Sequence, residues 1–350
     1  MKDSFPRRDF IRTAAAGTLG LGLSVKGLSS EKYSDVDARI GIIGLDTSHS
    51  TAFTKALNDP SAGPEFSGFR IVAAYPKGSS DIKSSVERIP GYTEEVKKLG
   101  VEIVGSIAEL IEKVDFILLE TNDGRLHLEQ AIPVLKAGKR MFIDKPIAAS
   151  LPDTIAIFKA AEHFNVPVFS SSSLRYITGI AEIAVGSIGK VLGADTYSPA
   201  TLEKTHPDLY WYGVHGVETL FTAMGRGCQE VTRSFSENFD VVAGTWSDGR
   251  IGTFRGIRSG KGDYGGTIFG EKGITVLGKY AGYNPLLIRI LDFFRTGITP
   301  VDPAETIDIF TFMTTADESK LKGGKPVETG PVLAKAQKAA EKIFNNYLKT

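Results

Sequence analysis

The chain has 350 residues, 42% apolar and 23% charged, with 41 basic side chains balanced by 41 acidic ones. That balance leaves no basic field to hold a polyanion, which argues against nucleic acid as a partner. One cysteine, Cys228, excludes an internal disulfide and a thiolate metal cluster, and the length and composition suit two globular domains.

Residues 1–30 differ from the rest. A polar head containing Arg7-Arg8-Asp9-Phe10-Ile11-Arg12 precedes a short run rich in alanine, glycine and leucine that reaches Val25. This is the layout of a targeting segment, and the run is too short and glycine-rich for a stable membrane span. Pro6-Arg7-Arg8-Asp9-Phe10-Ile11-Arg12 resembles the twin-arginine signal, with proline in the usual Ser/Thr place. The resemblance implies export of a folded protein to the periplasm. It also implies no stable membrane span unless the segment is retained, and a cofactor loaded before export and held tightly.

The remainder reads in chain order. Arg39-Ile-Gly-Ile-Ile-Gly44 is a buried parallel strand ending at glycine. Thr47 or Ser48 caps the helix that follows through Ala52, Phe53 and Leu57. A second strand over residues 69–75 stops at Pro76. Next come a helix over 93–99, a strand over 102–104, a helix over 107–112 and a strong β run over 114–120. Residues 127–137 form an amphipathic helix ended by Gly138. A strand over 140–143, a helix over 151–164 with Pro152 in its first turn, and a strand over 166–170 complete the pattern. This alternation predicts an α/β fold, a Rossmann-type doubly wound parallel sheet, over residues 36–172. After Ser173 the β runs are closely spaced, at 191–197, 230–236, 239–246, 251–257 and 267–269, with glycine-rich turns between them. Helices follow near 285–295, 303–319 and 332–349. Residues 173–350 are thus expected to form an α+β domain around a mainly antiparallel sheet.

The turn Gly44-Leu45-Asp46-Thr47-Ser48-His49 stands where a dinucleotide fold carries G-x-G-x-x-G. Asp46 takes the second glycine place and His49 the third. Repulsion between Asp46 and a pyrophosphate about 4–5 Å away would cost a few kcal/mol, whereas the helix N-terminus favours an anion. Two alternatives follow. Asp46 turns aside to cap the helix and leaves a weakened cofactor site, or the site takes no dinucleotide. The second strand runs into Ala74-Tyr75-Pro76-Lys77-Gly78-Ser79-Ser80, without the acid that holds NAD ribose. Lys77 and the serines could hold a 2′-phosphate, which favours NADP over NAD, or could form a solvated turn.

Four further segments carry a family resemblance. They are Glu120-Thr121-Asn122-Asp123-Gly124-Arg125-Leu126-His127, Ala137-Gly138-Lys139, Asp144-Lys145-Pro146 and Ser172-Ser173-Leu174-Arg175-Tyr176. With them the chain resembles the glucose–fructose oxidoreductase / inositol dehydrogenase / MocA (Gfo/Idh/MocA) family over about residues 39–273. The resemblance implies an open-faced antiparallel sheet in the second domain and a homo-oligomer formed through it. It implies NADP or NAD held by Gly44, Asp46, Thr47, Ser48, His49, Lys77, Thr121, Asn122, His127 and Lys145. Asp144-Lys145-Pro146 is similar to the family's Glu-Lys-Pro, whose lysine lies near the nicotinamide and the reacting hydroxyl. A strand-end lysine there can polarise a sugar oxygen.

Tyr210-Trp211-Tyr212-Gly213-Val214-His215 resembles the family segment that holds the catalytic histidine. His215 suits a proton acceptor near neutral pH. Many family members have aspartate four residues earlier, where Trp211 stands here. Arg175, Tyr176 and Tyr212 join His215 as expected substrate contacts. The function implied is hydride transfer between a nicotinamide dinucleotide and a hydroxyl of a sugar, glycoside or cyclitol. The alternative is the same fold without dinucleotide redox, as a lyase or hydrolase on an oxidised sugar or as a sugar-binding protein. No metal is expected; His206, His215 and Glu218 lack a strong ligand spacing.

Overall fold

The structure is a computed structural model that describes residues 38–349, so the twin-arginine-like segment lies outside the described residues. Six strands build the first sheet: β1 (Ala38–Ile43), β2 (Phe69–Tyr75), β3 (Glu102–Ile103), β4 (Phe116–Leu119), β5 (Arg140–Ile143) and β6 (Val168–Ser170). All pairs are parallel and the order is β3-β2-β1-β4-β5-β6. The strands are short apolar runs because helices cover both faces. The order reverses between β1 and β4, the switch point where such sheets bind ligands beyond the strands' carboxyl ends.

The helices of this half are α1 (Ser48–Asn58), α2 (Lys83–Lys98), α3 (Ile107–Lys113), α4 (His127–Lys136) and α5 (Leu151–His163). The helix expected at 93–99 is the last stretch of α2, which runs through Pro90. Proline and a polar face hid its first half, since neither marks a helix interior. The β run at 114–120 contracts to β4, which leaves Glu120 just outside the strand.

The second sheet has seven strands: β7 (Val191–Pro199), β8 (Cys228–Phe235), β9 (Phe239–Trp246), β10 (Ile251–Ile257), β11 (Gly265–Gly270), β12 (Gly273–Val276) and β13 (Val327–Glu328). Its order is β12-β11-β7-β10-β9-β8-β13. The sheet is mixed rather than wholly antiparallel, because β7 and β10 run parallel at its centre. Helices α6 (Ile180–Ala184), α7 (Val214–Met224), α8 (Asn284–Thr296), α9 (Pro303–Leu321) and α10 (Thr329–Tyr347) complete the chain.

Two of these late helices return to the first sheet. In α8, Leu286, Leu287, Ile290, Phe293 and Phe294 join one core with Ile40, Ile42, Phe53, Phe116 and Phe142. Phe344 of α10 packs edge-on against His163 of α5, with ring centroids 5.5 Å apart. A boundary at residue 172 therefore divides the sequence but not the packing.

A candidate active site at the carboxyl edge of the parallel sheet

Gly44 ends β1 with φ 88°, a left-handed conformation that glycine adopts without strain. A Cβ there would sit 2.5 Å from the backbone of Thr121. The first glycine is thus needed for contact with the loop after β4.

Asp46 is fully buried. Its carboxylate accepts the backbone N–H of Asn122 at 2.9 Å and of Ser79 at 3.3 Å. The fit against Gly78 is close: a Cβ on that glycine would lie 2.0 Å from Asp46 Oδ2. The side chain does turn aside, but it ties together the loops after β1, β2 and β4 instead of capping α1. Burial holds it above the ordinary carboxylate pKa, against the pull of the Asn122 amide. Thr47 sits at the N-cap of α1 but makes no side-chain capping bond, and no acid lies in the helix's first turn.

The register of β4 and β5 explains the next pair. Leu119 lies opposite Ile143, so Glu120 and Asp144 are the next residues on adjacent parallel strands. Their backbones continue the ladder: Glu120 N–H donates to Ile43 and Asp144 N–H to Leu119, both at 2.8 Å. Side chains alternate across a sheet, so these two carboxylates share the face of Leu118 and Phe142, the face that α1 covers. His49, in the first turn of α1, meets them there. Its Nδ1 lies 3.0 Å from Asp144 Oδ1 and 3.7 Å from Glu120 Oε2. Burial and the neighbouring Asp144 push Glu120 well above the ordinary carboxylate pKa. Burial pushes Asp144 upward too, but His49 and Lys145 outweigh it and leave Asp144 below its ordinary value.

A cavity of about 210 Å³ opens over this edge. Thr47, Ser48, His49, Asn122, Lys145, Tyr212 and His215 line it together, from both halves of the chain. Lys145 Nζ lies 5.6 Å from the centre of the Tyr212 ring. His215 Nδ1 lies 2.6 Å from Ser172 Oγ. Burial, with the charge of Lys145 added, holds His215 well below the ordinary histidine pKa. It is therefore neutral near pH 7 and able to accept a proton. Trp211, four residues before His215, also lines the cavity, and the side chain that bonds the His215 ring is Ser172.

Other expected residues sit elsewhere. Arg175 is buried, with Nε 2.7 Å from Glu218 and a terminal nitrogen 2.8 Å from Glu305. Tyr176 packs with the core under the first sheet. Neither lines the cavity; of their short 3₁₀ turn, Ser173 and Leu174 do. His127 is buried, with Nε2 2.6 Å from the Thr121 carbonyl and Nδ1 3.1 Å from that of Ile147. It clamps the loops after β4 and β5. Lys77 is exposed, and the Ser79 hydroxyl is engaged with Asp81 at 2.9 Å. His206 and Glu218 do not join His215 in a ligand cluster. Burial pushes His206 down to about 4, and it packs on Trp211, while Glu218 is bound to Arg175.

Several lining residues were not expected: Arg88, Asp144, Ser173, Tyr264, Tyr280 and Tyr283. The parity of Glu120 with Leu118, and of Asp144 with Phe142, was a usable signal. The tyrosines gave none, because they come from loops far along the chain.

The donors around the cavity fit the phosphates of a dinucleotide. The first turn of α1 lacks a side-chain cap, and an open helix N-terminus favours an anion. Arg88, also a lining residue, adds a cation beside it, 3.4 Å from the Asp46 carbonyl oxygen. The Asp46 carboxylate is not among the lining groups.

Residues 38–172 match the Gfo/Idh/MocA oxidoreductase family, NAD-binding Rossmann fold. An uncharacterized oxidoreductase of Streptococcus pneumoniae is 29% identical over 121 residues. That alignment takes in 33% of this chain and 32% of the relative, so the chain spans about a third of the curated relative's length. Among solved structures, scyllo-inositol dehydrogenase from Lactobacillus casei, with bound NAD(H) and scyllo-inositol, is 14% identical with a TM-score of 0.65. The likeness covers 84% of this chain and 99% of that one. Myo-inositol 2-dehydrogenase from Lactobacillus plantarum is 17% identical, also with a TM-score of 0.65, over 83% of this chain and 99% of the other. These structures share the fold of both halves.

Proposed function

We propose that the protein transfers a hydride between NAD or NADP and a carbinol carbon of a sugar, glycoside or cyclitol. The observation that carries this is the meeting of Lys145, from the end of β5, and His215, from the first turn of α7, on one cavity. Around it, Tyr212, Tyr264, Tyr280 and Tyr283 offer flat apolar faces and hydroxyls suited to a polyol ring. The N-terminal turn of α1, Arg88 and Asn122 would hold the dinucleotide, with Gly44, Thr47, Ser48 and Thr121 shaping its bed. The nicotinamide, when bound, supplies the hydride acceptor or donor. Neutral His215 takes the hydroxyl proton, and Lys145 stabilises the charge that develops on that oxygen. Tyr212 beneath the ammonium keeps Lys145 directed at the cavity.

Two further parts of the proposal rest on other features. The Arg7-Arg8 motif supports export to the periplasm with the cofactor already in place. Exposed Tyr197, Phe239, Ile251 and Ile274 on the second sheet support self-association through it.

The test is to purify the folded protein, denature it and analyse the supernatant by mass spectrometry. NAD(H) or NADP(H) near one equivalent is expected. No released dinucleotide, together with no binding of either added cofactor, would overturn the proposal.

A further inference from the structure

We propose that His49, Glu120 and Asp144 form a binding site for one divalent first-row transition-metal ion. The proposal does not depend on the dinucleotide. It also departs from the expectation of no metal drawn from sequence spacing.

The geometry comes first. One ligand atom from each residue lies within 4.8 Å of the other two. Metal–ligand bonds of roughly 2.0–2.2 Å span at most about 4.4 Å across the ion, so a contraction of a few tenths of an ångström closes the set. All three residues stand on fixed supports: the ends of adjacent strands β4 and β5, and the first turn of α1.

The second observation concerns hydrogen bonds. Glu120 and Asp144 are wholly buried. Among the described residues, no hydrogen bond reaches either Glu120 oxygen, Asp144 Oδ2 or His49 Nδ1. Nearly all buried polar atoms in folded proteins have one, and here each of the three clustered residues carries an atom without one. The 3.0 Å approach of His49 Nδ1 to Asp144 Oδ1 lacks hydrogen-bond alignment. That is how two ligands stand when both face a third body.

Charge points the same way. Two buried carboxylates this close repel each other when both are ionised, and a cation between them relieves that repulsion. Lys145 Nζ lies over the Tyr212 ring, and His49 is the basic side chain that stands against both carboxylates. One imidazole with two carboxylates suits zinc, manganese or iron(II) better than magnesium or calcium. His49 and Asp144 also line the cavity, so the remaining coordination positions face Lys145 and His215. Adjacent oxygens of a polyol or a hydroxy-ketone are the chemical class that would fill them.

The test uses the untagged full-length chain, stripped with chelator and titrated with ZnCl₂ and MnCl₂ by calorimetry, with elemental analysis for stoichiometry. One equivalent binding at ~1 µM or tighter is expected. E120Q and D144N, which keep shape, are expected to weaken binding by about 100-fold or more. Zinc is also expected to raise the melting temperature of the wild type and not of E120Q. Substoichiometric binding overturns the proposal, as does one-equivalent binding that both variants leave unchanged. If a variant fails to fold, wild-type stoichiometry and its melting shift decide. Dinucleotide binding is measured on the same samples, so loss of either proposal leaves the other standing.

Discussion

Asp46 and Glu120 are both buried carboxylates just beyond adjacent strands, β1 and β4, yet their surroundings are opposite. Asp46 accepts two backbone N–H groups, and Gly78 is cut away to admit it. Among the described residues, no hydrogen bond reaches either Glu120 oxygen. The first stands in a phosphate-binding fingerprint, where a carboxylate looks functional, and it serves the scaffold. The second stands at an inconspicuous strand end and faces His49 and Asp144. A satisfied buried charge holds loops together; an unsatisfied one marks where something binds or a proton is held.

The largest effect expected is on turnover. His215→Ala should lower kcat by ~10²–10⁴-fold, the usual contribution of a positioned acid–base group, with dinucleotide content unchanged. Steady-state kinetics on a panel of cyclitols and sugars, beside cofactor analysis, checks this. Equal loss of bound cofactor would make His215 part of the binding site instead.

The next prediction tests the comparison itself. Asp46→Ala strips two buried amides of their acceptor and should cost about 2–3 kcal/mol of unfolding free energy. Metal-free E120Q replaces a buried carboxyl that no hydrogen bond reaches among the described residues and should be within ~1 kcal/mol of wild type, or more stable. Urea denaturation of the pair decides, and the reverse order would break the comparison.

His215 sharpens it with pH. Burial keeps it neutral in the fold, whereas the unfolded chain takes up its proton near the ordinary value of about 6.5. Stability is therefore unaffected by this group above about 6.5 and declines below it, by up to ~1.4 kcal/mol per pH unit. His215→Gln should flatten that part of the profile between pH 7 and 5. An unchanged slope would show that other groups carry it.

The smallest effect concerns cofactor choice. Lys77 is exposed at the start of the loop after β2, while Ser79 is already engaged. Lys77→Ala should weaken NADP binding by about 2–5-fold, the worth of one exposed charge pair, and leave NAD binding alone. Equal changes for both would remove Lys77 from the 2′-phosphate site.

Much of the fold was legible in the residues. Short apolar runs ending in glycine or proline, alternating with helices of one apolar stripe, predicted the parallel sheet. Lys145 and His215 were legible through motif resemblance and do share one cavity. Less was legible where a residue's neighbours lie far along the chain. Arg175 followed a motif to the cleft but is held away by Glu218 and Glu305. The tyrosine wall joins residues 212, 264, 280 and 283, which no local pattern relates. Helix α8 belongs to the core of the first sheet although it comes more than a hundred residues after β6.

The sequence by itself determined the scaffold, because strand and helix periodicities, caps and turns depend on residues a few positions apart. It also placed Asp46, His49, Glu120 and Asp144 near the sheet's carboxyl edge. Only the tertiary structure decided which of them are satisfied. Asp46 finds its donors in residues 79 and 122, and His49 meets carboxylates from two other strands. Whether a buried charge has a partner is fixed by neighbours in space, and here those neighbours are separated by 33 to 95 positions of sequence.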